Sequence, residues 1–144
     1  MIAIDTNALI RILIEDEPSQ AKAVQNLLIF CETHSIPVLV LTEVLIEAVW
    51  VLESVYRCNR EEISQFLETL TQTATLTFAD SQIIPKVISQ YRKTGDFADL
   101  VIVNQARVRK ALRLFSFDGT LQKAFPGYVV EALSESDFPG RLTG

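Results

Sequence analysis

The sequence predicts an α/β fold, a three-layer α/β/α domain built around a mostly parallel central sheet. Short apolar runs alternate with amphipathic helical patterns along the whole chain, which is typical of this class. The first run, residues 2–4, is expected to form a buried strand that ends directly at Asp5, and the functional crevice of an open α/β sheet lies at such strand ends. With 144 residues, 49% of them hydrophobic, the chain can bury a core of its own. We therefore expect one domain over residues 1–135 and a frayed tail over 136–144.

The composition excludes several classes of protein. The chain has 13 Lys and Arg against 18 Asp and Glu, a formal charge of −5, so it cannot hold nucleic acid by bulk attraction without the help of cations. Asp5 and Arg11 interrupt the first apolar segment, which rules out a signal peptide or membrane span there. Cys31, Cys58 and His34 have no metal-ligand spacing. We expect a cytoplasmic protein with no membrane association, reduced cysteines and a solvated loop histidine.

In the first half of the chain, one helix carries two acids on the same face. Apolar spacing predicts helices over 8–14, 19–33 and 43–56, and a buried strand over 37–41. Thr42 is the expected N-cap of the third helix. Glu43 and Glu47 lie one turn apart on it, and its other sides are mostly apolar, so we expect the helix to be largely buried. A buried Glu47 needs a partner or a metal, whereas Glu43 also suits the positive end of the helix dipole.

The second half repeats the pattern of a strand followed by an acid. Asn59 and Glu62 form a capping-box pattern at the start of a fourth helix. The remaining pattern predicts strands over 75–78, 112–117 and 128–130, and helices opening at Asp80, Asp96 and Leu121. Asp96 is a good N-cap and leaves Asp99 one turn inside its helix, where two acids repel each other. The strand over 112–117 is expected to be buried and ends at Asp118.

Four carboxylates are therefore expected to converge at one edge of the sheet. Asp5 and Asp118 would follow strands, and Glu47 and Asp99 would lie on helices that begin at the same edge. Packed together without a counter-charge, the four would raise one another's pKa and cost stability. A hard divalent cation removes this cost, and Mg²⁺ or Mn²⁺ suits an all-oxygen site better than Zn²⁺ does.

At these positions the sequence resembles the PIN-domain nucleases and, within them, the VapC-type toxins of bacterial type II toxin–antitoxin pairs. The resemblance covers nearly the whole chain and rests on residues 4–7, 44–52, 96–99 and 115–118. It implies a PIN-like fold and a metal-dependent endoribonuclease whose catalytic and metal-binding acids are Asp5, Glu47, Asp99 and Asp118. It also implies supporting roles for Thr6, Asn7 and Ser116, with Glu43 and Asp96 as reserve candidates.

The resemblance further implies an RNA substrate, a cognate antitoxin protein that covers the acidic cleft, and a homodimer. Two positions depart from the family pattern. Ser116 stands where the family often has Thr, which keeps the hydroxyl group. Gly119 stands where a basic residue often follows the last Asp, so a contact to phosphate is weakened here.

Two other functions remain open from the sequence. The chain could be a catalytically silent PIN-like protein that only binds a partner, although the presence of all four acids argues against this. It could also be a phosphatase that uses Asp5 as nucleophile. Such domains usually have a second acid or a lysine in the site, but Asp5 is followed by Thr6 and Asn7, and no strand ends in a lysine. Seven basic residues could guide RNA, although each is individually more typical of a solvated surface: Arg57, Arg60, Lys93, Arg107, Arg109, Lys110 and Arg113.

Overall fold

The computed structural model describes residues 1–138 and contains two compact units, Met1–Lys93 and Thr94–Gly144. The elements of the first unit are β1 (Ile2–Ala3), α1 (Thr6–Leu13), α2 (Pro18–Thr33), β2 (Val38–Val40), α3 (Thr42–Ser54), α4 (Arg60–Thr71), β3 (Leu76–Phe78) and α5 (Ile84–Lys93). Those of the second are α6 (Phe97–Val108), β4 (Leu114–Phe115), α7 (Gly119–Ala124), β5 (Val129–Val130) and a 3₁₀ turn, Glu135–Asp137. Helices joined to short parallel strands confirm the predicted α/β class.

The first unit is organised by a parallel sheet of order β1-β2-β3. Ile2 pairs with Val38, and Val38 pairs with Leu76, so the three strands run in register. Because they are parallel, their carboxyl ends meet at one edge of the sheet. The sheet and the helices around it bury a core whose largest members are Tyr91, Leu9, Ile10, Leu45, Leu52, Ile63, Leu67, Leu70 and Ile84. The expectation of a buried first strand is wrong for β1 itself, since Ile2 and Ala3 are exposed and only the following Ile4 is buried.

Helix α3 is amphipathic, so the prediction that it is largely buried is wrong. Its exposed stripe contains Glu43, Glu47, Trp50 and Ser54, which recur at the spacing of one helical face. The apolar residues between them face the core. Trp50 is 60% exposed, which shows how open this face is. The predicted N-cap is also displaced by one residue, because Leu41 occupies the cap and Thr42 is the first helical residue.

Other local predictions hold. Asn59 accepts from the backbone N–H of Glu62, and the Glu62 side chain accepts from the backbone N–H of Asn59, which completes the predicted capping box of α4. Cys31 is buried and Cys58 is half-buried, and both are free thiols. His34 is exposed at the end of α2, where its ring stacks on Phe30 with 4.2 Å between the ring centroids.

The second unit has a small core of its own. Strands β4 and β5 are parallel, with Leu114 paired to Val129. The core consists of Val103, Leu121 and Val129, and the half-buried Leu114, Phe125 and Tyr128 pack against it. The predicted strand over 112–117 shortens to two residues, and the expectation that it is buried is wrong because Phe115 and Phe117 are exposed.

The end of the described chain is a turn held by an ion pair. The Arg113 Nε donates to Asp137 Oδ1 at 3.0 Å, and the backbone N–H of Ser134 donates to the same carboxylate at 2.8 Å. The bond from Ser134 is the main cause of a lowered pKa for Asp137, and Arg113 adds to it. The predicted tail thus begins in an ordered turn, and residues 139–144 lie outside the described part. Within residues 1–138, none of the helices combines the length and apolar character that crossing a bilayer requires.

Candidate active site

Three of the predicted acids lie at the N-termini of helices and cap them. Asp5 Oδ1 accepts from the backbone N–H of Ala8 at the start of α1, at 3.0 Å. Asp96 Oδ2 does the same for Asp99 in α6, and Asp118 Oδ1 for Leu121 in α7, also at 3.0 Å. Each cap uses one carboxylate oxygen, and the positive end of the helix dipole favours the charged acid. The ordinary capping role therefore accounts for the position of all three acids without excluding a second role.

Asp99 differs from these acids because its surroundings disfavour its charge. Burial raises the pKa of its carboxyl group, and the nearby carboxylates of Asp96 and Asp118 raise it further. The second unit therefore brings three acids into electrostatic contact, two from the predicted site and one from the reserve. A cation close to Asp99 would offset the unfavourable interaction of its charge with these two carboxylates.

Ser116 makes a local hydrogen bond to the backbone of Asp118 in the second unit. The Ser116 hydroxyl oxygen accepts from the backbone N–H of Asp118 at 3.1 Å, and the Gln122 side chain donates to the Ser116 carbonyl oxygen at 2.8 Å. These bonds fix the backbone that carries Asp118 to the start of α7. Since the hydroxyl group makes the contact, the replacement of Thr by Ser keeps this function.

The first unit places the other predicted residues at the carboxyl edge of its sheet. Asp5 follows β1, with Thr6 buried and Asn7 exposed beside it. Glu43 lies in the first turn of α3, which begins where β2 ends, and Glu47 lies one turn further along the same exposed stripe. Because Glu47 is exposed to water, its charge does not need the partner or metal ion that a buried Glu47 would require.

Asp80 is a residue of this edge that the sequence analysis did not assign to the site. It follows β3, and one of its carboxylate oxygens accepts a hydrogen bond from the Thr42 hydroxyl group at the start of α3. The signal was present, because Asp80 follows a short apolar strand as Asp5 and Asp118 do. The same pattern also predicts the opening of a helix, which is the role that the sequence assigns to Asp80.

The donor chemistry of these acids fits a hard divalent cation. All of them are carboxylates, and the cluster around Asp99 has an electrostatic cost that a cation would remove. Within each unit, the residues up to 138 contain no group of three or more His, Cys, Asp and Glu side chains that is already arranged to hold a metal ion. The acids are thus suitable donors for such a cation.

Comparison with known proteins identifies the family. The model of the PIN domain matches residues 2–125. The matched range includes all four predicted acids and extends over parts of both units. Searches of the curated proteins and of the solved structures found no match. The family match agrees with the parallel strands and flanking helices of a PIN-like α/β/α fold, and PIN domains are generally nucleases that use divalent metal ions. The chain belongs to the PIN domain family.

Proposed function

We propose that the protein is a metal-dependent endoribonuclease and the toxin of a toxin–antitoxin pair, resembling VapC-type toxins. The observation that supports this most directly is the cluster of Asp96, Asp99 and Asp118 in a chain of the PIN family, where carboxylates are held together at an electrostatic cost. Carboxylates that disfavour one another's charge in this way are typical of a cation site.

We assign Asp5 and Glu47 of the first unit and Asp99 and Asp118 of the second to the same reaction, the hydrolysis of an RNA phosphodiester bond. Mg²⁺ or Mn²⁺, when bound, supplies Lewis acidity that makes water more acidic and offsets negative charge on the phosphodiester. The residues of the chain itself orient the carboxylates that would bind the ion. The N-termini of α1 and α7 hold Asp5 and Asp118 through one carboxylate oxygen each, and Ser116 holds the backbone of Asp118.

We further propose that RNA, a cognate antitoxin and a second copy of the chain are the partners, and that the protein acts in the cytoplasm. These proposals follow from the resemblance to VapC-type toxins. The exposed stripe of α3 that contains Trp50 is compatible with a protein contact. Size-exclusion chromatography with light scattering tests the homodimer, and co-purification with the product of a neighbouring short reading frame tests the antitoxin.

The nuclease proposal is tested with purified protein free of any partner. The protein is incubated with a panel of structured and single-stranded RNAs in Mg²⁺ or Mn²⁺, alongside Asp5→Asn and Asp118→Asn. We expect the parent protein to cleave RNA and to lose this activity in EDTA. In each variant the cleavage rate should decrease by more than about 100-fold, because removing a metal ligand should reduce activity at least as much as removing a residue that only hydrogen-bonds to a ligand. Glu43→Gln tests the reserve candidate on the same stripe as Glu47: we expect it to retain cleavage, and a loss of cleavage would move the assignment from Glu47 to Glu43.

Three outcomes would replace this proposal. Cleavage that survives EDTA or Asp5→Asn excludes the metal mechanism. A phosphorylated Asp5 after incubation with a phosphate ester favours the phosphatase. Absence of cleavage over the whole panel, with binding to a partner retained, favours the catalytically silent protein.

A further inference from the structure

Four side chains of the first unit form a hydrogen-bonded network that joins the end of α1 to the end of α3. The Arg11 guanidinium, in the last turn of α1, donates to Asp16 Oδ1 at 2.8 Å and to Gln20 Oε1 at 2.9 Å. It also donates to the hydroxyl oxygen of Tyr56, just after α3, at 2.9 Å, and that hydroxyl group donates to Asp16 Oδ2 at 2.9 Å. We call these four residues the α1–α3 clamp.

The clamp differs from an ordinary surface ion pair. The Arg11 side chain is only 16% exposed, and Tyr56 is half-buried. A guanidinium group that is largely removed from water needs partners for its N–H groups, and Arg11 has three. Because the guanidinium group is a planar fork, these bonds also fix the direction of the side chain. A lysine at the same position could not reproduce this geometry.

The clamp is attached to regular backbone on both sides. The backbone N–H of Tyr56 donates to the Val51 carbonyl oxygen at 3.3 Å, and that of Cys58 donates to the Leu52 carbonyl oxygen at 2.9 Å, so the segment after α3 is bonded to its last turn. Arg11 is itself a residue of α1, and α1 packs directly on α3. A shift of α1 along or around α3 would therefore break the bond between Arg11 and Tyr56.

The opposite ends of the same two helices lie at the carboxyl edge of the sheet. Asp5 caps α1 and lies about 9 Å along the helix from Arg11, and Glu47 lies on α3. At this edge the helices follow β1 and β2, which are paired in register, with the backbone N–H of Ile4 donating to the Leu39 carbonyl oxygen at 3.2 Å. The strands thus hold the first ends of α1 and α3, and the clamp holds the last ends.

We propose that Arg11 and Tyr56 are positioning residues, which hold α1 against α3 so that Asp5 and Glu47 keep the orientation needed to bind the divalent cation. This inference rests on the proposed nuclease function. Arg11 and Tyr56 act through the two helices, so contact with the ion or with RNA is not required of them. A misplacement of about 1 Å, caused by a change far from the reacting atoms, can reduce catalysis by about 100-fold.

The first test measures the affinity for Mn²⁺ without RNA, from the electron paramagnetic resonance signal of the free ion. Tyr56→Phe removes the hydroxyl group and keeps the ring, and Arg11→Lys keeps the positive charge without the fork. Both variants should bind Mn²⁺ about 10- to 100-fold more weakly than the wild-type protein, as is typical when a residue that orients a ligand is replaced.

A matched control separates positioning from a general loss of stability. Arg92 of α5 pairs with two acids of α4, at 2.6 Å from Glu68 and 3.4 Å from Glu61, and neither helix carries a proposed ligand. Arg11→Met and Arg92→Met each remove an arginine that joins two helices of the first unit. Arg11→Met should lose Mn²⁺ affinity as Tyr56→Phe does, whereas Arg92→Met should stay within about twofold of the wild-type protein.

A second test needs no metal ion. The backbone N–H of Ala8 donates to Asp5 Oδ1, so its hydrogen exchange reports how firmly α1 holds this carboxylate. In EDTA, exchange at Ala8 should be faster in Tyr56→Phe than in the wild-type protein. Exchange at the backbone N–H of Glu62, which donates to Asn59 at the start of α4, should be unchanged.

The clamp is refuted as a positioning device if Tyr56→Phe or Arg11→Lys binds Mn²⁺ within about twofold of the wild-type protein. It is also refuted if Arg92→Met loses as much affinity as Arg11→Met, or if exchange at Ala8 does not change. The two proposals fail separately. RNA cleavage by the wild-type protein with unaltered Mn²⁺ affinity in the variants refutes the clamp and leaves the nuclease standing. A wild-type protein that neither binds Mn²⁺ nor cleaves RNA refutes the nuclease, and exchange at Ala8 then decides whether the clamp holds Asp5.

Discussion

Asp99 is held in surroundings that oppose its negative charge. Burial and two neighbouring carboxylates raise its pKa, so at neutral pH the charged form costs more in the folded than in the unfolded protein. In a nuclease this cost is the consequence of keeping carboxylates close enough to act together. Asp5 and Asp118, by contrast, are stabilised by the helix N-termini that they cap.

Asp99→Asn should therefore stabilise the metal-free protein at neutral pH, because it removes the disfavoured charge and keeps the shape of the side chain. The gain should shrink as the pH falls through the raised pKa of Asp99, since the wild-type carboxyl group is then protonated and neutral as well. Urea unfolding in EDTA over a range of pH measures this difference. Asp5→Asn is the control and should not stabilise the protein, because Asn still caps α1 but lacks the negative charge that the positive end of the helix dipole favours. A lower urea midpoint for Asp99→Asn at neutral pH would contradict the prediction.

Gly119 has room for a side chain, so the basic residue that is missing at this position can be introduced and tested. A Cβ atom at this position would have no heavy atom within 4 Å, and Gly119 is not among the glycines with positive φ, so a side chain fits without strain. It is the first residue of α7 and follows Asp118.

Gly119→Lys should restore the basic residue that the family often has here. We expect a lower KM for RNA at low ionic strength and convergence with the wild-type value as salt is added, because a single exposed charge acting on phosphate is screened. Gly119→Gln is the matched control, similar in length and without charge. An equal KM for the Lys and Gln variants at low salt would show that position 119 does not face the RNA backbone.

At the scale of elements, the carboxyl edge of the first sheet is held together by side chains as well as by backbone bonds. The Thr42 hydroxyl group, at the start of α3, donates to Asp80, which follows β3. Thr42 is 4% exposed, so its hydroxyl group is removed from water and depends on this bond. The bond connects the helix that carries Glu47 with the strand beside it.

Thr42→Val should destabilise the protein by about 1–3 kcal/mol, because it keeps the volume of the side chain and removes a donor to a carboxylate. Thr42→Ser keeps the hydroxyl group, so its free energy of unfolding should decrease less than that of Thr42→Val. Urea unfolding measures both. If Thr42→Val were as stable as the wild-type protein while Thr42→Ser was destabilised, the methyl group and not the hydrogen bond would set the stability at this position.

The elements also show where local sequence patterns succeed and where they fail. The capping box at Asn59 and the cap at Asp96 were predicted correctly, because each depends on residues within one helical turn. The burial of α3 was predicted wrongly, because an apolar composition does not reveal which side of a helix is left uncovered. Trp50 shows this, since its size favours burial but it lies on the exposed stripe with Glu47.

At the scale of the whole molecule, the proposed function assigns four acids to the binding of a divalent cation. Asp5 and Glu47 belong to the first unit and Asp99 and Asp118 to the second. Binding of a metal ion to the folded protein alone stabilises it, by about 2.7 kcal/mol when the free ion is at 100 times its dissociation constant. Thermal unfolding therefore reports on the site without relying on activity.

Mn²⁺ should raise the melting temperature of the wild-type protein, and replacing any one of the four acids by its amide should remove most of this increase. Glu43→Gln should retain the increase, which separates Glu47 from its neighbour on α3. Melting curves recorded with EDTA and with Mn²⁺ measure the effect. If Asp99→Asn and Asp118→Asn lose the increase while Asp5→Asn and Glu47→Gln keep it, the ion belongs to the second unit alone and the four-acid assignment is wrong.

The sequence by itself determined the fold class, the family resemblance and the acids at the ends of strands, because alternating apolar runs and the acids that follow them are local patterns. Only the tertiary structure decided the distant neighbours: Asp118 adds to the repulsion that Asp96 exerts on the charge of Asp99, Thr42 binds Asp80, and Phe117 is exposed. Burial and charge–charge contact depend on residues far apart in the chain, and composition and spacing along the chain carry no information about such distances.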